Sequence, residues 1–281
     1  MKKLIRLYLK NLFSIFIKIL TYGYIGRLIQ NELVNNAMLT QKKIKHNNCT
    51  LAFTVPNKLN LYRIDTFSTK EPETLEWIDR MPEGSVLWDV GANIGLYSCY
   101  AAKHKKCKVY AFEPSVFNLE LLARNIFVNK LNQSISIVPF ALADKTMMNS
   151  FQLTTTEWGG ALSTFGEEFG WDGDQIKKIF EFNTIGISID EAITKLNINT
   201  PNYIKIDVDG LEHFILRGGE NVLKKINGIL IEVNDNFTDQ AQGCYELLTK
   251  AGLTLYEKRH SDLIANNKAG FDKSYNQIWI R

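Results

Sequence analysis

The chain is poor in cysteine, and its cysteines lack the spacing that metal sites use. Among 281 residues there are four, with no CxxC pair and no zinc-finger spacing: Cys49, Cys99, Cys107 and Cys244. We therefore expect no zinc finger, and reduced thiols in a cytoplasmic protein.

A strong charge excess and long apolar runs are also missing. The formal net charge is only +3, so the composition does not indicate a nucleic-acid partner. No run of 18 apolar residues occurs, which argues against a membrane-spanning helix. With 281 residues, 45% of them hydrophobic, the chain is long enough for one large α/β domain with an N-terminal appendage.

The N-terminal residues 1–26 are rich in Leu, Ile, Phe and Tyr, and their polar residues recur at steps of three and four. These steps place the polar residues on one helical face: Arg6, Lys10, Asn11, Ser14, Lys18 and Thr21. Such a helix can lie on an anionic membrane surface, which for a cytoplasmic protein is the inner face of the membrane. Alternatively, it can dock on its own domain or on a partner subunit. Lys10 and Lys18 argue against a signal peptide. We assign residues 1–50 to this helix and a polar connector (31–50), and residues 51–281 to the main domain.

Strand-like and helical segments alternate from residue 86 onward, which predicts a mostly parallel sheet. The predicted strands are 86–90, 108–112, 134–141, 184–188, 203–208 and 228–233, and a final antiparallel pair is 254–258 and 277–280. The predicted helices are 96–103, 117–129, 189–196, 212–223 and 239–251. Residues 144–181 look irregular. Upstream, 50–55 and 60–66 resemble a hairpin, and a helix follows from Pro72 to Met81.

A glycine loop follows the first of these strands and predicts a ligand site. The strand 86–90 contains Asp89, and the loop holds Gly91, Asn93 and Gly95 before the next helix. Glycines permit a sharp turn and close approach of the backbone to a ligand. The GxGxxG pattern of dinucleotide folds is absent, and an acid before the loop repels a pyrophosphate but suits an ammonium group.

Two further carboxylates lie at the ends of the next two strands. Glu113 ends the second strand and can accept both hydroxyls of a ribose. Asp144 follows the third strand, where it can accept a hydrogen bond from an adenine amine. An adenosine that carries an amino acid and no phosphate is S-adenosylmethionine, so Asp89, Gly91, Asn93, Gly95, Glu113 and Asp144 are the predicted cofactor residues.

Three segments resemble the FkbM family of class I S-adenosylmethionine-dependent methyltransferases. They are DVGANIGLYS (89–98), AFEP (111–114) and IKIDVDGLEHFILRGG (204–219), within a similarity from about residue 71 to 233. The third segment distinguishes this family, and Asp209 stands where the family commonly has Glu. The resemblance implies a Rossmann-like, mostly parallel seven-stranded sheet with its last strand antiparallel and helices on both faces. It also implies oxygen methylation, often of a sugar or a natural product.

The third segment carries the candidate catalytic residues Lys205, Asp207, Asp209 and Glu212. A carboxylate here can take the proton of an acceptor hydroxyl, and Lys205 can neutralise the acids or hold the substrate oxygen. Alternatively, Lys205 and Glu212 form a structural ion-pair network. Mg²⁺ is a less favoured alternative, with ligands from Asp207, Asp209, Glu232 and Asn234.

The leading hypothesis is O-methylation of a glycan, a lipid-linked saccharide or a natural-product hydroxyl. A nicotinamide-dependent oxidoreductase is an alternative, although the missing GxGxxG argues against it. A non-catalytic, membrane-associated scaffold is another. The loop 154–171, with Trp158 and Trp171, is either a substrate lid or a surface-packed insertion.

Overall fold

The computed structural model describes residues 2–260 and 271–281. Its strands are, in chain order, β1 (Gln41–His46), β2 (Cys49–Thr54), β3 (Val86–Val90), β4 (Lys108–Phe112), β5 (Ile135–Val138), β6 (Ala141–Ala143), β7 (Met147–Leu153), β8 (Thr164–Phe165), β9 (Phe180–Ser188), β10 (Tyr203–Ile206), β11 (Gly228–Asn234), β12 (Thr254–Arg259) and β13 (Ser274–Ile280). Its α-helices are α1 (Lys2–Leu20), α2 (Gly23–Leu39), α3 (Lys58–Asp65), α4 (Pro72–Asp79), α5 (Leu96–His104), α6 (Val116–Val128), α7 (Ile189–Lys195), α8 (Glu212–Arg217), α9 (Glu220–Leu223) and α10 (Thr238–Lys250).

Seven strands form the central sheet, in the order β12-β13-β11-β10-β3-β4-β5. Neighbours from β11 to β5 pair in parallel, whereas β13 is antiparallel to both β11 and β12. This confirms the predicted class I methyltransferase sheet. Because β3 is central, its carboxyl end lies beside the ends of β4 and β10, the arrangement in which open α/β sheets bind ligands.

Both faces of the sheet are covered, which explains why its central strands are nearly continuous apolar runs. Leu87 on one face packs in a core with α4, α5 and α6, and Trp88 on the other packs in a core with α7 to α10. Trp88 is fully buried, and its indole N–H donates to the Asn199 carbonyl at 3.1 Å. A buried Trp thus meets its hydrogen-bonding requirement while it fills the core.

The segment expected to be irregular contains much of a second sheet. Strands β6, β7, β8 and β9 form a four-stranded sheet in the order β6-β9-β7-β8. The chain leaves the central sheet after Val138 and enters this second sheet at Ala141. The predicted single strand 134–141 was therefore wrong at its end. The predicted helix 212–223 is likewise divided at Gly218, where a Cβ would lie 2.5 Å from the Ala143 carbonyl oxygen.

The predicted hairpin after residue 50 was also wrong. Strand β2 pairs antiparallel with β1, which comes before it in the chain. Residues expected to form the second strand belong to α3, where the Asn57 side chain caps the helix by accepting from the Asn60 N–H at 2.8 Å. The expected polar connector 31–50 instead completes α2 and forms β1, so the proposed boundary at residue 50 falls inside β2.

Candidate active site

A cavity of about 330 Å³ opens at the carboxyl ends of β3, β4 and β10. We call it the main cavity. It brings together five of the predicted site residues: Gly91, Asn93, Glu113, Asp207 and Asp209. A smaller cavity of about 60 Å³ adjoins it and is lined by Lys205 and also by Asp207. The predicted residues Asp89, Gly95, Asp144 and Glu212 line neither cavity.

The glycine loop is required by the protein's own packing. Gly91 has a φ of +78°, and a Cβ there would lie 2.0 Å from the carbonyl oxygen of Asp207. Gly95 has a φ of +80°, and its Cβ would meet the Leu122 side chain at 2.4 Å. The glycines therefore let the β3 loop pass close to the end of β10 and to α6, whereas the sequence had suggested approach to a ligand.

Replacing Gly91 by alanine should lower the free energy of unfolding by about 3 kcal/mol or more, since left-handed strain adds to overpacking. Gly84→Ala is the matched control, because Gly84 has a φ of +76° but no atom within 4 Å of a Cβ. It should cost only the strain, about 1–2 kcal/mol. Urea unfolding of both variants measures the difference, and equal losses would contradict the close approach to Asp207.

Glu113 anchors the glycine loop at the cavity wall. One carboxylate oxygen accepts from the Asn93 N–H at 2.7 Å, and the other accepts from the Ser115 N–H at 2.9 Å. The side chain is buried, and burial raises the pKa of Glu113 to about 7. A carboxylate at the end of β4 that already positions the loop can also accept hydroxyl groups of a ligand in the main cavity.

Asp89 is buried beside this loop, and one of its oxygens has no partner in the part of the chain that the structure describes. Its Oδ2 accepts from the Ser98 hydroxyl at 2.5 Å, whereas Oδ1 makes no hydrogen bond. Burial raises the pKa of Asp89. An orphaned, buried carboxylate oxygen calls for a donor that the protein does not supply, such as a water or an ammonium group.

Asp144 was wrongly assigned to the cavity. Its side chain is exposed, because β6 leaves the central sheet to pair with β9 and carries Asp144 away from the end of β5. Its apolar neighbours Phe140, Ala141 and Leu142 line the main cavity instead. That wall provides the apolar cover expected for an adenine ring, without the predicted carboxylate.

Lys205 and Asp207 form an ion pair at the end of β10, with 2.8 Å between Nζ and Oδ2. Burial opposes the charge of Lys205, but the carboxylates of Asp207 and Asp89 outweigh it, and the net effect raises the Lys205 pKa. Burial likewise acts to raise the pKa of Asp207, but the ammonium groups of Lys205 and Lys70 hold it below its usual range. Asp207 is therefore a stable anion at neutral pH, with Lys205 as its counter-ion.

Asp209 reaches the main cavity from a strained turn. Its φ is +62°, and its Oδ2 accepts from the Leu162 N–H at 2.7 Å. Burial, with the nearby charge of Asp207, raises the pKa of Asp209 to about 6. Glu232 at β11 lines the same cavity, and burial together with Asp207 and Glu71 raises its pKa well above the usual range. The cavity thus holds acids of different proton affinity.

Glu212 supports the turn and lies outside the cavity. Its two carboxylate oxygens accept from the N–H groups of Val208 at 3.0 Å and Gly210 at 3.1 Å, and Gln240 donates to it as well. The side chain is fully buried. Glu212 therefore fits the structural alternative better than a catalytic role. Its hydrogen-bond partners are backbone amides and Gln240, whereas the sequence had suggested an ion pair with Lys205.

The sequence reasoning missed the part of the cavity that comes from the N-terminal side. Helix α3 contributes Leu59, Tyr62 and Arg63, and Lys70 follows it. Arg63 is held by the Gly159 carbonyl oxygen, 2.6 Å from its Nη2. The Asn57 cap was the available signal for α3, but nothing local indicates that this helix lies over the ends of β3 and β10.

The loop 154–171 lies over the main cavity and is tied to it. The Gly160 carbonyl accepts from the side-chain amides of Asn93 at 2.7 Å and Asn118 at 3.1 Å. Gly160, Ala161 and Leu162 line the cavity, whereas Trp158 packs against the core and Trp171 stacks on Phe271 at 4.1 Å. The part of this loop that lines the cavity is therefore residues 160–163 with Phe165, and neither tryptophan takes part.

Within residues 2–260 and 271–281, no group of three or more His, Cys, Asp and Glu side chains is arranged to hold a metal ion. The side-chain oxygen of Asn234, a candidate ligand atom, accepts from the Asn236 N–H at 3.0 Å.

Comparison with known proteins adds an independent line of evidence. A family model described as the methyltransferase FkbM domain matches residues 89–265. The hexuronic acid methyltransferase AglP of Haloferax volcanii is 26% identical over 182 residues, which are 65% of this chain and 70% of that relative. The 31-O-demethyl-FK506 methyltransferase FkbM of Streptomyces tacrolimicus is 24% identical over 172 residues, or 54% of this chain and 66% of that protein.

A solved structure, the methyltransferase FkbM from Methylobacillus flagellatus, superimposes with a TM-score of 0.49 at 15% identity. The superposition covers 79% of this chain but only 52% of that one, so the chain spans about half the length of this relative.

Proposed function

This chain belongs to the FkbM methyltransferase family, and we propose that it uses S-adenosylmethionine to methylate a hydroxyl oxygen of a saccharide. The observation that carries the proposal is the meeting of the glycine loop and Glu113 in one cavity. Glu113 holds the loop through Asn93 and faces the space where a ribose would be bound.

The charges around the loop favour a cationic cofactor. The cavity is lined by four acids and two cations, namely Glu113, Asp207, Asp209, Glu232, Arg63 and Lys70, and the acid Asp89 lies beside it. The acids thus outnumber the cations, and the loop lacks the GxGxxG turn that cradles a pyrophosphate. An anionic dinucleotide would meet repulsion here, whereas a sulfonium and an ammonium would meet attraction. When bound, S-adenosylmethionine supplies an electrophilic methyl group.

The residues that follow β10 can accept the proton of the acceptor hydroxyl. We assign the general base to Asp209, because a pKa of about 6 leaves it ionised at neutral pH yet basic enough to take a hydroxyl proton. Asp207 is a weaker base because Lys205 stabilises its anion. Burial and the charge of Asp207 raise the pKa of Glu232 well above its usual range, and in its protonated form it can donate a hydrogen bond to the acceptor.

A saccharide fits the polar wall of the cavity. Asp207, Asp209 and Glu232 offer several oxygens to a hydroxyl-rich ligand, and Tyr62 lines the same cavity. The relative from Haloferax volcanii is named for hexuronic acid, so a glycan with a hexuronic acid is the first acceptor to test. The relative named for demethyl-FK506 makes a natural-product hydroxyl the second candidate.

Incubation with S-adenosylmethionine deuterated at the methyl group, followed by mass spectrometry of the acceptor, tests this function. We expect label on a hydroxyl oxygen of a glycan, in a panel that contains both uronic-acid and neutral glycans. Label on nitrogen would overturn O-methylation. Tight cofactor binding without transfer to any member of a glycan and natural-product panel would favour the scaffold alternative.

A further inference from the structure

Most of the surface of the two N-terminal helices is not packed against the domain. Every side chain of α1 that the structure describes is exposed, and most of α2 is exposed up to Met38, which enters the core. The alternative that the first helix docks on its own domain was therefore wrong. Within residues 2–260 and 271–281, no part of the domain covers α1.

The exposed surface of the two helices is strongly apolar. Phe13 is 69% exposed, Phe16 57% and Tyr24 79%, and Leu and Ile residues surround them. A soluble monomer rarely exposes a continuous apolar surface of this size. The surface therefore indicates an interaction site, and its charges indicate the partner.

Residues 1–31 carry a charge of one sign. Six of them are basic and none is acidic, namely Lys2, Lys3, Arg6, Lys10, Lys18 and Arg27. Two copies of this segment would repel each other, whereas an anionic surface would attract each copy. Basic residues beside exposed Phe, Tyr and Leu are the composition of helices that lie in a membrane interface.

The geometry of α1 and α2 favours helices that lie on the bilayer surface over helices that cross it. In the described part of the chain, no single helix is long and apolar enough to span a membrane. Leu7–Leu20 and α2 qualify by length and composition only as a pair, and that pair is bent by 120°. We propose that α1 and the first half of α2 form a docking surface for an anionic lipid bilayer. This inference is independent of the proposed catalysis.

Sedimentation of the full-length chain with vesicles tests the proposal. We expect at least tenfold tighter binding to vesicles of phosphatidylcholine with phosphatidylglycerol than to phosphatidylcholine alone, and weaker binding at high salt. The double substitution Phe13→Glu/Phe16→Glu should weaken binding at least tenfold. It should leave the thermal unfolding midpoint unchanged, because both side chains are exposed.

Phe127→Glu/Met148→Glu is the matched control, with the same charge change at side chains that are 79% and 65% exposed on the domain. It should change vesicle binding by less than twofold. Equal loss in both double variants, or no preference for anionic vesicles, would overturn the proposal. A dimer in analytical ultracentrifugation that Phe13→Glu/Phe16→Glu dissociates, without any vesicle binding, would assign the surface to a second copy.

Discussion

Asp209→Asn is expected to lower kcat by about 10²- to 10⁴-fold, the usual contribution of a general base, while the Kd for S-adenosylmethionine changes little. Asparagine keeps an oxygen to accept from the Leu162 N–H, which wild-type Asp209 accepts at 2.7 Å, so the turn should persist. What is lost is the ability to take the acceptor's proton. Steady-state kinetics with the acceptor found by the labelling experiment measures the effect.

The pH dependence of kcat is a second test of the role of Asp209. Burial and the charge of Asp207 raise the pKa of Asp209 to about 6, and a base must be ionised to act. Activity should therefore fall as the pH drops below about 6 and reach a plateau above it. Asp209→Asn should remove this decrease in activity at low pH.

Asp144→Asn is the matched control, because Asp144 is exposed, and its kcat should equal the wild-type value. A large loss in Asp144→Asn, or none in Asp209→Asn, would contradict the assignment.

Glu113→Ala should weaken the binding of S-adenosylmethionine by about 100-fold. Two hydroxyl hydrogen bonds to an ionised carboxylate contribute about 3 kcal/mol together, and 1.4 kcal/mol is a factor of ten. The Asn93 and Ser115 N–H groups would also lose their acceptor, which loosens the loop. Isothermal titration calorimetry measures the affinity, and thermal unfolding without cofactor reports on the fold.

The affinity should also depend on pH through this residue. Burial raises the Glu113 pKa to about 7 in the ligand-free protein, and ribose hydroxyls donate best to the ionised form. Affinity should therefore fall as the pH drops below about 7, by at most tenfold per unit. Glu120→Ala, at an exposed glutamate paired with Arg124 on α6, is the control and should bind as the wild type does. Equal affinity of Glu113→Ala and wild type would remove Glu113 from the cofactor site.

Much of the central sheet could be predicted because the local sequence marks each of its strands. The runs at β3 and β4 were placed at their observed ends, since a buried parallel strand is apolar throughout and a glycine loop or a turn follows it. Of the second sheet, the end of β9 was predicted as the strand 184–188, but most of the remaining sheet was not. Its strands β7 and β9 are half-exposed, polar in places, and joined by a pairing between distant residues.

The lining of the main cavity was predictable where residues follow a strand of the central sheet, as at Gly91, Glu113 and Asp209. It was not predictable where tertiary packing determines whether a side chain reaches the cavity. Asp144 follows a strand that changes sheets, so the same rule failed there. Arg63 reaches the cavity from a helix that sequence spacing does not place, and Glu212 turns toward the backbone of its own loop.

The most direct test of the account is a calorimetric titration of the full-length chain with S-adenosylmethionine and, separately, with NAD. The acidic cavity beside a loop without a phosphate cradle predicts one S-adenosylmethionine bound per chain and no measurable heat from NAD. Binding of NAD, or no binding of S-adenosylmethionine by a folded protein, would contradict it.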